Sequence, residues 1–157
     1  MIELGATRYG KAGVRLVRVD RSTTPHRVRD LTVAVALEGD FVAAHTDGDN
    51  SMVVATDTMK NTAYAFGATH LDGPIEAYGL ALAEHFLTFA QVSRATVNVR
   101  EHRWRSIDVE GAPAPDAFVR GGEGTRVATV AATGDGVVVE AGVEDLVVLK
   151  TGRSAVE

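Results

Sequence analysis

Along Val14-Arg15-Leu16-Val17-Arg18-Val19-Asp20, apolar and charged side chains alternate with a period near two. That spacing predicts a strand with one face in a core and the other in water. The turn-prone Ser22-Thr23-Thr24-Pro25 ends it. The β-branched run from Asp30 to Glu38 then predicts a second long strand that continues past Gly39-Asp40 through Phe41 to His45, bulged at the glycine. Beyond the polar loop Thr46-Asp47-Gly48-Asp49-Asn50-Ser51 the period lengthens toward 3.6. Thr56 or Asp57 is placed to cap a helix whose Met59, Ala63, Phe66 and His70 share a face and which ends near Leu71-Asp72-Gly73. Pro74 stands at a first helical position, and Ile75, Tyr78, Leu82, Phe86 and Phe89 recur by threes and fours through a second helix to about Ala90.

Alternation returns from Ala95 to Val109 as one unusually long strand, which Pro113 and Pro115 are expected to stop. Ala117–Arg120 and Arg126–Ala131 are further strands around the turn Gly121-Gly122-Glu123-Gly124. Gly136–Glu140 and Asp145–Lys150 suggest a last hairpin through Ala141-Gly142-Val143. Two strands, two helices and then several strands, with no internal repeat or linker, predict an α+β architecture: an antiparallel sheet with two helices packed on one face.

Composition narrows the chemistry. A chain of 157 residues, 45% hydrophobic, suits one compact domain. With 24% charged residues and a formal net charge of -5 there is no global basic field for nucleic acid. The absence of cysteine excludes disulfides, thiolate nucleophiles and iron–sulfur ligation. Met1 to Thr7 lacks a basic region followed by an apolar core, and no window approaches the ~18 apolar residues of a membrane span, so a soluble, unexported protein is expected. An Ala-, Val-, Gly- and Arg-rich composition leans bacterial and hence cytoplasmic.

Several constellations have plain readings. Asp47, Asp49 and Asn50 beside His45 miss the ligand spacing of a calcium loop and read as a solvated turn. His26, His45, His70, His85 and His102 form no metal-ligand pair. Gly121-Gly122-Glu123-Gly124-Thr125 lacks the lysine of a phosphate loop and opens no helix. Arg100, His102, Arg103, Trp104 and Arg105 alternate faces on a strand and read as a salt-bridged solvent face. Tyr9-Gly10-Lys11 before the first strand and Thr56-Asp57 before a helix are ordinary alone, although a strand-to-helix junction exposes unpaired N–H groups that can hold an anion.

Taken together, those last two segments carry a resemblance. Tyr9-Gly10-Lys11, the loop from His45 to Ser51 and the run Thr56-Asp57-Thr58-Met59-Lys60-Asn61-Thr62 look like the motifs of the N-terminal domain of the urate oxidases (uricases). Val14-Arg15, Val28-Arg29-Asp30-Leu31, Tyr64-Ala65-Phe66 and the Glu101, Trp104, Arg105 pattern match in the same order, over about Tyr9 to Lys150. The resemblance implies the tunnelling fold (T-fold), in which antiparallel sheets with helices on one side assemble into a barrel around a channel. It also implies oxidation of urate by molecular oxygen with no metal or organic cofactor. The lysine and threonine matching Lys11 and Thr56 would form a proton relay, and Thr56 with the backbone of Asp57 would contact the purine edge. Physically, a partly desolvated ammonium yields its proton more readily and can act as a base through a hydroxyl.

Family members carry two such domains, and the second supplies a stacking phenylalanine, an arginine, a glutamine and a histidine that cannot be assigned here. Residues 1–143 are therefore expected to form a first T-fold domain and 144–157 the start of a connection into a second. The partners implied are urate, O2 and a complementary C-terminal half or further subunits, with no nucleic acid and no membrane. A non-catalytic assembly or purine-binding domain is the rival reading. A pterin enzyme of the same fold would call for zinc ligands or a cysteine and falls behind.

Overall fold

The computed structural model describes residues 4–122 and 124–152. The first three residues, Glu123 of the glycine-rich turn and the last five residues, on which parts of the expectations above fall, lie outside the described residues. The elements in chain order are β1 (Arg8–Asp20), β2 (Arg27–Gly39), α1 (Val42–Thr46), α2 (Thr56–Thr69), α3 (Ile75–Leu87), β3 (Val92–Glu101), β4 (Trp104–Val109), β5 (Ala112–Arg120), β6 (Thr125–Thr133) and β7 (Gly136–Glu144). Five strands form one sheet in the order β1-β2-β3-β6-β7, every pair antiparallel, and β4-β5 form a separate hairpin.

Period-two alternation sends one row of each strand to the helices: Val14 and Leu16 from β1, Leu31, Val33, Val35 and Leu37 from β2, Ala95, Val97 and Val99 from β3, and Ala128, Val130 and Ala132 from β6. Met59 and Ala63 of α2, and Ile75, Tyr78, Leu82 and Phe86 of α3, bury the 3.6-period stripe against that row. Two long helices on one face of an antiparallel sheet is the expected architecture. At the Arg8 end of the row, Tyr9 packs edge-on against Phe41 with ring centroids 4.7 Å apart. At the other end an alternating row of charges, Arg29 with Glu101 and Arg126 with Glu76, closes the helix-covered side.

Several boundaries correct the sequence-based expectation. The second strand does not run to His45. It leaves the sheet at Gly39, where a Cβ would stand 2.0 Å from the Gln91 carbonyl oxygen, and the Asp40 N–H bonds to that same oxygen at 3.0 Å. Phe41 alone fills a core slot, and Val42–Thr46 becomes the short α1 with no buried residue. Neither Thr56 nor Asp57 caps α2: Ala55 is the N-cap, so both lie inside the first turn. The helices end at Thr69 and Leu87, short of the expected limits.

The long strand from Ala95 to Val109 is two strands. His102 turns away with its N–H on the Asp30 carbonyl at 2.8 Å, and the chain restarts as β4 in the hairpin. Pro113 and Pro115 do not stop a strand but lie within β5, since a two-stranded hairpin leaves one row of positions that need no N–H donor. The tail is one strand, β7, that runs through Ala141-Gly142-Val143 rather than turning there, and Asp145–Lys150 adopts no strand.

Candidate functional site

Strand β1 carries a bulge. Lys11 pairs with Val35 but Val14 pairs with Val33, so β1 has one residue more than β2 over this stretch. Gly13 takes the left-handed conformation the bulge requires, with φ 69°. The extra residue decides which way Lys11 faces. Without it, Tyr9 and Lys11 would point away from the face that holds Val14 and Leu16; with it, Tyr9, Lys11, Val14 and Leu16 all stand on the helix-covered face. Lys11, opposite the buried Val35, is half-buried.

The same end of that face receives the start of α2. No side chain caps the helix, so the N–H groups of its first turn are available to an anion, and Thr56 and Asp57 occupy that turn in exposed positions. Lys60 donates to Asp57 Oδ1 at 2.9 Å. That bond and the Lys60 charge hold the Asp57 carboxyl below its usual range, and the Lys11 ammonium adds a smaller pull in the same direction. Lys11 and the first turn of α2 thus share one electrostatic neighbourhood although 45 residues separate Lys11 from Thr56. The three residues singled out in the sequence, Lys11, Thr56 and Asp57, come together at one solvent-facing junction.

Tyr9, which the sequence offers only as part of a motif, ties this junction. Its hydroxyl donates to the Val54 carbonyl at 3.0 Å and accepts the Val54 N–H at 2.7 Å. No local pattern forecasts this, because the partners are 45 residues apart. Arg15, Asp30 and Trp104 form a second, closed cluster on the helix-free face. Asp30 accepts two bonds from Arg15 at 2.6 Å and one from Trp104 Nε1 at 2.9 Å while its side chain is 1% exposed. Burial pushes the Asp30 carboxyl up, but the bonds from Arg15 and Trp104 outweigh it and hold the group below its ordinary value. His102 Nε2 pairs with the Thr32 hydroxyl at 2.8 Å and its Nδ1 with Arg120. Because Arg120 can only donate, His102 Nδ1 is the acceptor and the ring is neutral, and burial together with the nearby arginines lowers its pKa. The expected salt-bridged solvent face is realised at Arg100, which pairs with Glu144, while the exposed Trp104 and the half-buried His102 instead bond to Asp30 and Thr32 of β2.

Among the described residues, no group of three or more His, Asp or Glu side chains is placed to hold a metal ion. No helix of the described residues is long and apolar enough to cross a membrane.

Comparisons with known proteins place this junction in context. A family model described as uricase matches residues 7–131. The chain is 42% identical over 156 residues to a uricase of Arthrobacter globiformis, covering 98% of this chain and 49% of the relative. It is 37% identical over 158 residues to a uricase of Aspergillus flavus, covering 98% and 52%. The crystal structure of the Arthrobacter globiformis uricase superposes with a TM-score of 0.84 at 40% identity, over 96% of this chain and 51% of that one. The chain therefore spans about half the length of the relatives it matches, and its antiparallel sheet with helices on one face is the T-fold arrangement. With the family model covering most of the sequence, its motifs in order and the fold matched throughout, the chain belongs to the uricase family.

Proposed function

We propose that this chain contributes one half of a urate oxidase site, with Lys11 and Thr56 as its proton relay and Thr56 with the Asp57 backbone as its purine-edge contact. The observation that carries the reading is the β1 bulge, which turns Lys11 toward the open first turn of α2. Urate, O2 and water give 5-hydroxyisourate and hydrogen peroxide. Urate must lose a proton before oxygen can react, so a lysine acting through a threonine hydroxyl has a defined task, while uncapped N–H groups at the helix start favour the anion that results. The resulting dianion is electron-rich enough to reduce oxygen directly, which removes the need for a metal or organic cofactor.

The junction is open to solvent on the side where Thr56 and Asp57 are exposed, which fits a site completed by a second domain or chain. Strand β7 supports the same partner. It is an edge strand exposed along its whole length, with Val138 62% exposed, and Val147 and Leu149 beyond it are 83% and 85% exposed. An apolar edge of this kind requires a partner to be covered. The end of β7 at Glu144 supports a boundary near there between a first T-fold domain, assigned to residues 1–143, and a connection onward assigned to 144–157. The assembly is a cytoplasmic homo-oligomer in purine degradation.

The test is the loss of urate's ultraviolet absorbance in air by the chain assembled with its complementary half, with peroxide and native mass measured on the same sample. Turnover that Lys11→Met lowers by about 100-fold or more while assembly persists supports the enzyme. An intact assembly that binds purine without consuming urate favours the non-catalytic reading.

A further inference from the structure

We infer that Tyr9 is a positioning residue: its hydroxyl locks the backbone of Val54 to β1 and thereby sets the distance between Lys11 and the Thr56–Asp57 turn. The inference rests on the relay proposed above and names the device that holds its two halves together. Tyr9 and Lys11 stand two residues apart on one face of β1, a rise of about 6.6 Å along the strand. Val54 and Thr56 are likewise two residues apart, with only the N-cap Ala55 between Val54 and the helix. One hydroxyl engages both the N–H and the C=O of Val54, at 2.7 and 3.0 Å, so the peptide segment can neither slide nor rotate without breaking a bond.

Three further observations fit this assignment. The Tyr9 ring is held at 90° against Phe41, whose side chain is buried, so the hydroxyl is delivered from a rigid base. Gly10 lets β1 approach β2 closely: a Cβ there would lie 2.0 Å from the Val35 carbonyl oxygen, and any larger residue would push Tyr9 and Lys11 outward together. Burial also raises the Tyr9 pKa, so the phenol stays protonated and keeps its donor. Both bonding directions of the hydroxyl are taken by Val54, so it has no part in the chemistry itself. Its effect reaches the reaction only through geometry, where a 1 Å misplacement costs up to about 100-fold in rate.

Tyr9→Phe keeps the ring on Phe41 and removes only the two bonds. In the assembly with the complementary half, the expected result is a kcat for urate roughly 10- to 100-fold lower with a much smaller change in KM. In a Lys11→Met background the same change is expected to cost almost nothing more, because the relay it positions is already gone. Ala55→Pro offers a local rescue. Ala55 sits at φ -57° with ψ 137°, a conformation proline prefers, so stiffening the junction there should recover part of the lost turnover. An unchanged kcat, an undiminished cost in the Lys11→Met background, or a Tyr9→Phe chain that fails to fold would overturn the inference. If the parent assembly leaves urate untouched, the relay reading fails by itself. Amide exchange at Val54, Thr56 and Asp57 then decides the clamp: faster exchange in Tyr9→Phe supports it, and equal rates refute it.

Discussion

Strand β1 carries two polar clusters on opposite faces, and they end differently. On the helix-free face, Arg15 meets Asp30, which Trp104 also caps, and every polar atom of the Asp30 carboxylate is engaged within the chain. On the helix-covered face, Lys11 approaches the first turn of α2, where no side chain caps the helix and Thr56 and Asp57 face solvent. The closed cluster spends its hydrogen-bonding capacity on the fold: it fastens the β4–β5 hairpin across β1 and β2. The open one leaves the first-turn N–H groups without a side-chain cap, as the proposed site requires. A charged group that is fully satisfied inside its own chain reads as structure, whereas one held near unspent N–H groups reads as a site.

The contrast is best broken at Lys11. Lys11→Met should lower urate turnover of the assembled protein by about 100- to 10,000-fold, the range of a lost acid–base group, with the melting temperature unchanged. Asp30→Asn should behave in the opposite way. It leaves the Trp104 N–H and the Arg15 guanidinium poorly matched, and urea unfolding should show a loss of about 2–3 kcal/mol, moderated because Arg15 is 48% exposed and partly hydrated.

Acid titration sharpens the closed side further. Asp30 is held below its ordinary value in the folded chain, so its stabilisation is complete above a pH of about 3.9 and is lost as pH falls through the folded value. The melting temperature should drop in that window, and Asp30→Asn should flatten the drop. His102 titrates higher with a smaller effect. Its folded pKa is lowered by burial and by Arg120 and Arg15, so the unfolded chain takes up the proton first and stability declines as pH falls below about 6.5. His102→Gln should remove that slope in thermal scans below a pH of about 6.5. The smallest effect belongs to the open side: Asp57→Asn breaks only the exposed pair with Lys60, and differential scanning calorimetry should detect no change in melting temperature.

How much of this was legible in the sequence differs from element to element. The alternation of Val14 to Asp20 and the stripe of Ile75, Tyr78, Leu82 and Phe86 identified β1 and α3 because a periodic apolar face has one way to be buried. Strand reading failed from Phe41 to His45, where a short apolar run followed the strand although only Phe41 had a slot in the core. It also joined β3 to β4, because the chain turns at His102 to meet the Asp30 backbone from a distant strand. Lys11, Thr56 and Asp57 were legible as motifs, but the clamp from Tyr9 to Val54 was not, since its partners are distant in the chain and a tyrosine beside a glycine carries no local signature.

By itself the sequence determined the types of the long elements, the fold class and the residues worth watching, because hydrophobic periodicity and motif order are local properties. Only the tertiary structure decided which way Lys11 faces. One extra residue in β1, carried by Gly13 at φ 69°, reverses that face, and a one-residue shift in strand register turns every side chain of a strand segment to its opposite side.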